Sequence, residues 1–164
     1  RRQSGISMKV KFVVIGKTAF DDLKVGEQRY QSRLIHYCQF ERLELPDVKN
    51  PKALSKAQIK EKEGQLLLEK LQPQDFVVLL DENGQHFSSE ELASWIDKKQ
   101  LQHAGPFVFI IGGAYGFSAA VYQRADYKLS LSKMTFSHQM VRMIFLEQLY
   151  RAYSILKGEP YHHA

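Results

Sequence analysis

Five short β-rich runs, each followed by a stretch with helical spacing, constrain this chain more than any other feature. They are KVKFVVIG (Lys9 to Gly16), FERLELP, DFVVLLD (Asp75 to Asp81), PFVFIIGG and YKLSLS. Three of them are apolar almost throughout, as strands buried on both faces are, while FERLELP alternates and stops at Pro46. Between and after them lie helical patterns, so the order is βαβαβαβαβα. Strands that alternate with helices predict an α/β fold, a mostly parallel sheet flanked by helices.

The punctuation agrees with that order. Ser88 with Glu91 forms a capping box that opens a helix through Trp95. SKAQIKEKEGQLLLEKL (Ser55 to Leu71) is a charged amphipathic helix. A last helix is predicted from Ser137 to Lys157, with Gly158 and Pro160 as its stop. No repeat, low-complexity tract or linker interrupts the pattern. Residues 1–7, RRQSGIS, read as a vector-derived scar before a start at Met8, and residues 8–164 as one domain.

Composition narrows the class. A chain with 44% hydrophobic and 25% charged residues is an ordinary globular one. Arg1 and Arg2 contribute to its formal charge of +5, which leaves a mild basic excess from Met8 onward. That excess permits contact with nucleic acid without demanding it. Cys38, the one cysteine, rules out an internal disulfide and a cysteine-based zinc site, and suggests a reducing, cytoplasmic compartment. No apolar run approaches the length of a membrane span.

Ligands of open α/β sheets lie beyond the carboxyl ends of the strands, which singles out LLDENGQ, IIGGAYGF and LSLSKMTFSHQM. Gly112 and Gly113 would let the backbone approach a ligand, but by themselves they read first as a tight strand-to-helix turn. Ser130, Ser132, Thr135 and Ser137 suit turns and a helix cap. On the last helix His138 and Arg142 share one face near the N-terminus. There the dipole disfavours a cation, so Arg142 needs a partner: an RNA phosphate, or a carboxylate of a neighbouring chain. Glu147 and Arg151 read as an ordinary i,i+4 pair. Val141 to Leu156 is apolar around much of its circumference, which favours an oligomer interface. Asp81 and Glu82 read as turn residues, and His36, His86 and His103 as surface or packed side chains. His138, His162 and His163 have no carboxylate at useful spacing for a metal. The loop IGKTAF lacks the further glycines of a nucleotide-binding fingerprint.

FIIGGAYGF, LLDENGQHFSSEELA and LSLSKMTFSHQMVRMIFLEQLYRAYSILKGEPYHH together resemble the bacterial RlmH (YbeA-type) methyltransferases of the SPOUT superfamily, in order and spacing from Met8 onward. The resemblance implies a SPOUT-type knotted fold, a C-terminal trefoil knot in which the end of the chain threads through a loop. It implies a homodimer that binds S-adenosylmethionine in the knot, uses no metal, and methylates N3 of a pseudouridine of 23S rRNA on the assembled ribosome. A catalytically inactive ribosome- or RNA-binding protein of the same fold is the alternative.

Carried over by position, the cofactor contacts implied are Leu80, Gly112, Leu131, Ser132, Lys133, Met134, Thr135 and Phe136. The acceptor nitrogen carries a proton that must leave, which asks for a base or a cation. The candidates are His138, Arg142, Tyr161 and His162. His138 or His162 would stand near the acceptor base, Tyr161 would stack on or bond to it, and Arg142 would hold phosphate or a base carbonyl. His163 departs from the family's usual Lys or Arg.

Overall fold

The computed structural model describes residues 8–163; residues 1–7, read above as vector-derived, and Ala164 lie outside them. The elements follow the predicted order: β1 (Lys9–Ile15), α1 (Asp21–Leu34), β2 (Gln39–Leu45), α2 (Lys56–Glu69), β3 (Phe76–His86), α3 (Ser89–Gln102), β4 (Phe107–Ile111), α4 (Ala119–Arg124), β5 (Tyr127–Ser130) and α5 (Met140–Leu156). The strands lie in the order β2-β1-β4-β3-β5 and every neighbouring pair is parallel.

This order puts the helices on two faces. The connections β1 to β2 and β3 to β4 step one way along the sheet, and β2 to β3 and β4 to β5 step the other. With right-handed crossovers, α1 and α3 cover one face and α2 and α4 the opposite one. Strand side chains alternate between them. Val10, Phe12, Phe107 and Phe109 join Leu34, Ile96 and Phe145 on the first face. Val13, Ile15, Val108 and Ile110 join Leu67 and Val121 on the second. Helix α5 belongs to the first face. Its Phe145 ring lies 5.6 Å from Phe12 and 4.9 Å from Phe109, centroid to centroid. Truncating so deeply packed a phenylalanine costs about 3–5 kcal/mol.

Several boundaries differ from the sequence reading: α3 runs on past Trp95 to Gln102 and β5 stops at Ser130, and two further differences bear on the site. Helix α5 begins at Met140 rather than Ser137, although the Ser137 hydroxyl accepts the Met140 amide at 3.1 Å and its carbonyl accepts that of Val141 at 3.0 Å. Ser137 therefore still caps the turn that leads into the helix. At the other end Gly158 (φ +69°) donates to the Ile155 carbonyl and Glu159 to that of Ser154, a Schellman stop at the predicted place.

The second difference is in β3. ENGQHF reads as a turn after the strand, but the chain leaves the sheet only for Asp81 to Gly84, and Gln85 and His86 pair with β5 again. Leu80 and Gln85 both pair with Leu129. The Asp81 carboxylate accepts the Asn83 amide at 2.9 Å and shapes the excursion. Gly84 lies against the Lys128 backbone, where a Cβ would come within 2.6 Å of the carbonyl carbon.

Candidate functional site

The carboxyl ends of β3, β4 and β5 enclose a cavity of about 360 Å³. Three segments form it: the excursion after Leu80, the loop from Gly112 to Phe117, and the loop from Leu131 to His138. Each is shaped by its own sequence. Gly116 (φ +84°) turns the second loop back so that its amide reaches the Gly113 carbonyl at 3.2 Å. Gly112 faces the Phe117 ring, and a Cβ there would lie 3.0 Å from the ring edge. In the third loop the Ser132 hydroxyl accepts the Met134 amide and the Ser132 carbonyl accepts the Ser130 hydroxyl, both at 2.9 Å. The serines thus serve as turn residues.

Leu80, Gly112, Leu131, Ser132, Met134, Thr135 and Phe136 line this cavity, and Lys133 does not. His138 lines it too. Partial burial, then the charge of Arg142, lower the His138 pKa below the ordinary 6.5, and Asp47 opposes them. The lowering favours the neutral ring, the form able to accept a proton. Asp81, Glu82 and Tyr122 complete the rim. The Tyr122 hydroxyl donates to the Asp81 carboxylate, and burial together with that bond pushes its pKa up to about 12.

Arg142 does not reach this cavity, which corrects the expectation of a phosphate or base-carbonyl contact. It is fully buried and donates to the carbonyls of Ile15 at 2.6 Å and Gly16 at 3.0 Å, and to the Thr18 hydroxyl at 3.2 Å. Thr18 donates in turn to Glu27, which Arg42 meets at 2.8 Å. His138 stands in the turn before α5 rather than on a helical face shared with Arg142, and the Arg142 side chain meets the β1–α1 connection.

Nor does the tail line the cavity. Tyr161 donates to Glu147 at 2.7 Å, packs edge-on to Tyr150 and lies under the Arg151 guanidinium. Glu147 and Arg151 form the expected ion pair at 2.6 Å. His162 sits between Arg151, 3.1 Å from Nδ1, and Glu90, 2.9 Å from Nε2. A guanidinium only donates, so Nδ1 accepts and Nε2 carries the hydrogen offered to Glu90. That bond holds the Glu90 carboxyl below its usual range. The structure thus brings His138 to the cavity and leaves Tyr161 and His162 on the α3–α5 surface.

A second cavity of about 270 Å³ lies behind Leu129, Ser130, Leu131 and Phe136, which line both. Its far walls include Ser89 of α3 and Gln148 of α5, which share a hydrogen bond of 2.7 Å. Among the described residues no three His, Cys, Asp or Glu side chains group as a metal site, and no helix is long and apolar enough to cross a membrane. Sequence reasoning missed Tyr122, and missed Asp47 and Glu63 near the strand ends. An i,i+3 or alternation pattern does not mark such positions.

The family model described as "Predicted SPOUT methyltransferase" matches residues 8–162. A curated "Ribosomal RNA large subunit methyltransferase H" of Parabacteroides distasonis is 53% identical over 156 residues, 95% of this chain and 99% of its own length. The protein of the same description from Christiangramia forsetii is 55% identical over the same extent. Among solved structures, a probable methylase family protein from Haemophilus influenzae Rd KW20 superposes with a TM-score of 0.50 at 11% identity, covering 96% of this chain and 71% of that one. At that identity the likeness concerns the fold alone.

Proposed function

The chain belongs to the SPOUT methyltransferase family, and from that premise we propose that it transfers a methyl group from S-adenosylmethionine to large-subunit ribosomal RNA. The acceptor in this reading is N3 of pseudouridine 1915 of 23S rRNA, presented by the assembled ribosome in the cytoplasm. The observation that carries the proposal is the chemistry of the cavity wall. Asp81 and Glu82 line it, and among the described residues no Lys or Arg does. Such a wall suits a cationic ligand with an apolar body and opposes a polyphosphate nucleotide, whose charge would need cations. Its volume falls in the range of ligand clefts, and Leu80, Leu131 and Phe136 offer apolar walls to an adenine ring.

S-adenosylmethionine, when bound, supplies a methyl already activated on a sulfonium. The chain's residues would orient it and manage one proton. The three loops hold the cofactor and exclude water. His138, kept neutral, accepts the proton of the acceptor nitrogen so that its lone pair is free to react. The threaded C-terminal path that the family resemblance implies belongs to this reading, with residues 131–139 carrying the chain from the sheet edge into α5. So does a homodimer. It is supported by apolar side chains left exposed on the neighbouring helices α1 and α5, namely Val25, Met140 and Leu156.

The test incubates the protein and S-adenosylmethionine with ribosomes from a strain that lacks this methyl group, followed by mass spectrometry of the RNA. A gain of one methyl on the pseudouridine is expected. RNA unchanged in mass overturns the reading, and equal methylation of protein-free RNA removes the assembled ribosome from it.

A further inference from the structure

Helix α2 carries KEKEGQ, in which Glu63 would be expected to face water with its charged neighbours. It does not: Glu63 is only 8% exposed. Its carboxylate lies flat against Gly113, where a Cβ would come within 2.4 Å of one oxygen and 2.7 Å of the other. The Gly113 amide is the main-chain group that favours its charged form. The Oε1 atom is buried with no partner at all. Gly64, the next residue, removes the side chain that would hold α2 away from α4: a Cβ there would meet the Ser118 hydroxyl at 2.4 Å. Close packing of α2 on the start of α4 therefore fixes where the carboxylate stands.

A half-satisfied carboxylate is a poor choice for stability, since an apolar side chain of the same size would avoid its desolvation. The placement of Gly113 explains its presence. Gly112 and Gly113 both line the cavity, and the Gly116 amide closes the turn that follows on the Gly113 carbonyl. Two adjoining glycines leave the backbone ahead of that turn open to other conformations, which a fixed neighbour restricts.

We infer that Glu63 is a positioning residue for the cofactor site: through the Gly113 amide it holds the 112–116 loop in the conformation that forms one wall of the cavity. It touches neither cofactor nor substrate. The inference rests on the reading of that cavity as the S-adenosylmethionine site. Burial and the nearby Asp47 raise the Glu63 pKa, as expected of a carboxylate kept in place for some purpose other than solvation.

Three variants separate positioning from folding. Glu63→Met keeps the volume and removes the acceptor, Glu63→Gln keeps a neutral oxygen for the Gly113 amide, and Glu63→Ala removes both. The probe is S-adenosylhomocysteine, titrated by calorimetry alongside urea unfolding of the same samples. In Glu63→Met, urea stability equal to or above that of the parent is expected, with affinity weaker by about tenfold. In Glu63→Gln affinity should return to within about threefold of the parent. In turnover the Met variant should raise the cofactor KM and leave kcat at saturation unchanged. Parent-like affinity in both Glu63→Met and Glu63→Ala overturns the inference, as does a loss of affinity that follows the loss of stability across the three. A parent protein that fails to bind S-adenosylhomocysteine overturns the cofactor reading itself, and the inference with it.

Discussion

Replacing Arg142 by Met tests whether that residue belongs to the fold or to the chemistry. The parent side chain is fully buried and makes three hydrogen bonds, to Ile15, Gly16 and Thr18. The substitution keeps most of the volume but leaves two carbonyls and a hydroxyl facing an apolar chain. It also removes one cation from a group in which Glu27 is 3% exposed. Breaking one side of such a buried charged arrangement costs about 3–5 kcal/mol. Arg42 stays within 2.8 Å of Glu27, so the carboxylate is not stranded and the lower half of that range applies. In a domain of this size each kcal/mol moves the melting temperature by about 2–4 °C, which predicts a fall of roughly 6–16 °C. Arg142→Lys keeps the charge but cannot span both carbonyls, so it should lose about 1–3 kcal/mol. The assay is urea unfolding at one fixed protein concentration, because self-association would otherwise enter the result. Stability within about 1 kcal/mol of the parent together with lost turnover would refute the reasoning. The guanidinium would then be acting on substrate, as its helical face first suggested.

Other expectations concern the walls and the base. Gly84→Ala places a methyl against the Lys128 backbone, which cannot move without opening β3 from β5. A loss of about 1–3 kcal/mol in urea unfolding is expected, and an unchanged midpoint would contradict the described excursion. The lowered His138 pKa gives a sign for pH: the folded protein resists protonating this ring more than the unfolded chain does. Its contribution to stability is therefore full above pH 6.5 and declines as pH falls from there through the lowered folded pKa. The acid limb of kcat/KM, which reports the free enzyme, should likewise lie below 6.5 and disappear from the residual activity of His138→Asn; a limb at or above that value removes His138 as the base.

Parallel strands announce themselves as continuous apolar runs because both faces are covered, so β1, β3 and β4 were legible from residues alone. Their order in the sheet was not. Nothing local in KVKFVVI says that it pairs with both β2 and β4, since that choice is made by crossovers dozens of residues long. The cavity walls from Leu80 to Phe136 came from resemblance, and the strand-end rule supplied only the neighbourhood. Arg142 shows a sharper limit. Helical periodicity fixed the face it occupies, but whether that face meets solvent, substrate or another loop depends on how α5 docks. Glu63 was hidden for the opposite reason: among charged neighbours on an amphipathic helix, a buried carboxylate looks like its exposed companions.

The tail raises a question that geometry makes testable. His162 is bound as a neutral ring that donates from Nε2 to Glu90, so in this position it has no free lone pair for a substrate proton. Its docking site adjoins Ser89, a wall of the second cavity, and the segment 129–136 stands between that cavity and the one containing His138. If Tyr161 and His162 act on an acceptor base in this chain's own cavity, they must leave Glu90 and Arg151; where they are docked, they can act only on a base brought to the α3–α5 surface. Contacts so near the surface are weak enough to be exchanged on binding. Glu90→Gln removes the charged partner of His162 without touching the cavity that holds His138. A tail that works after release predicts unchanged S-adenosylhomocysteine affinity and turnover equal to or above the parent's, whereas His162→Ala keeps the affinity and loses turnover. A tail that works where it is docked predicts that both variants lose turnover together. Full turnover in His162→Ala would leave the proton to His138 alone.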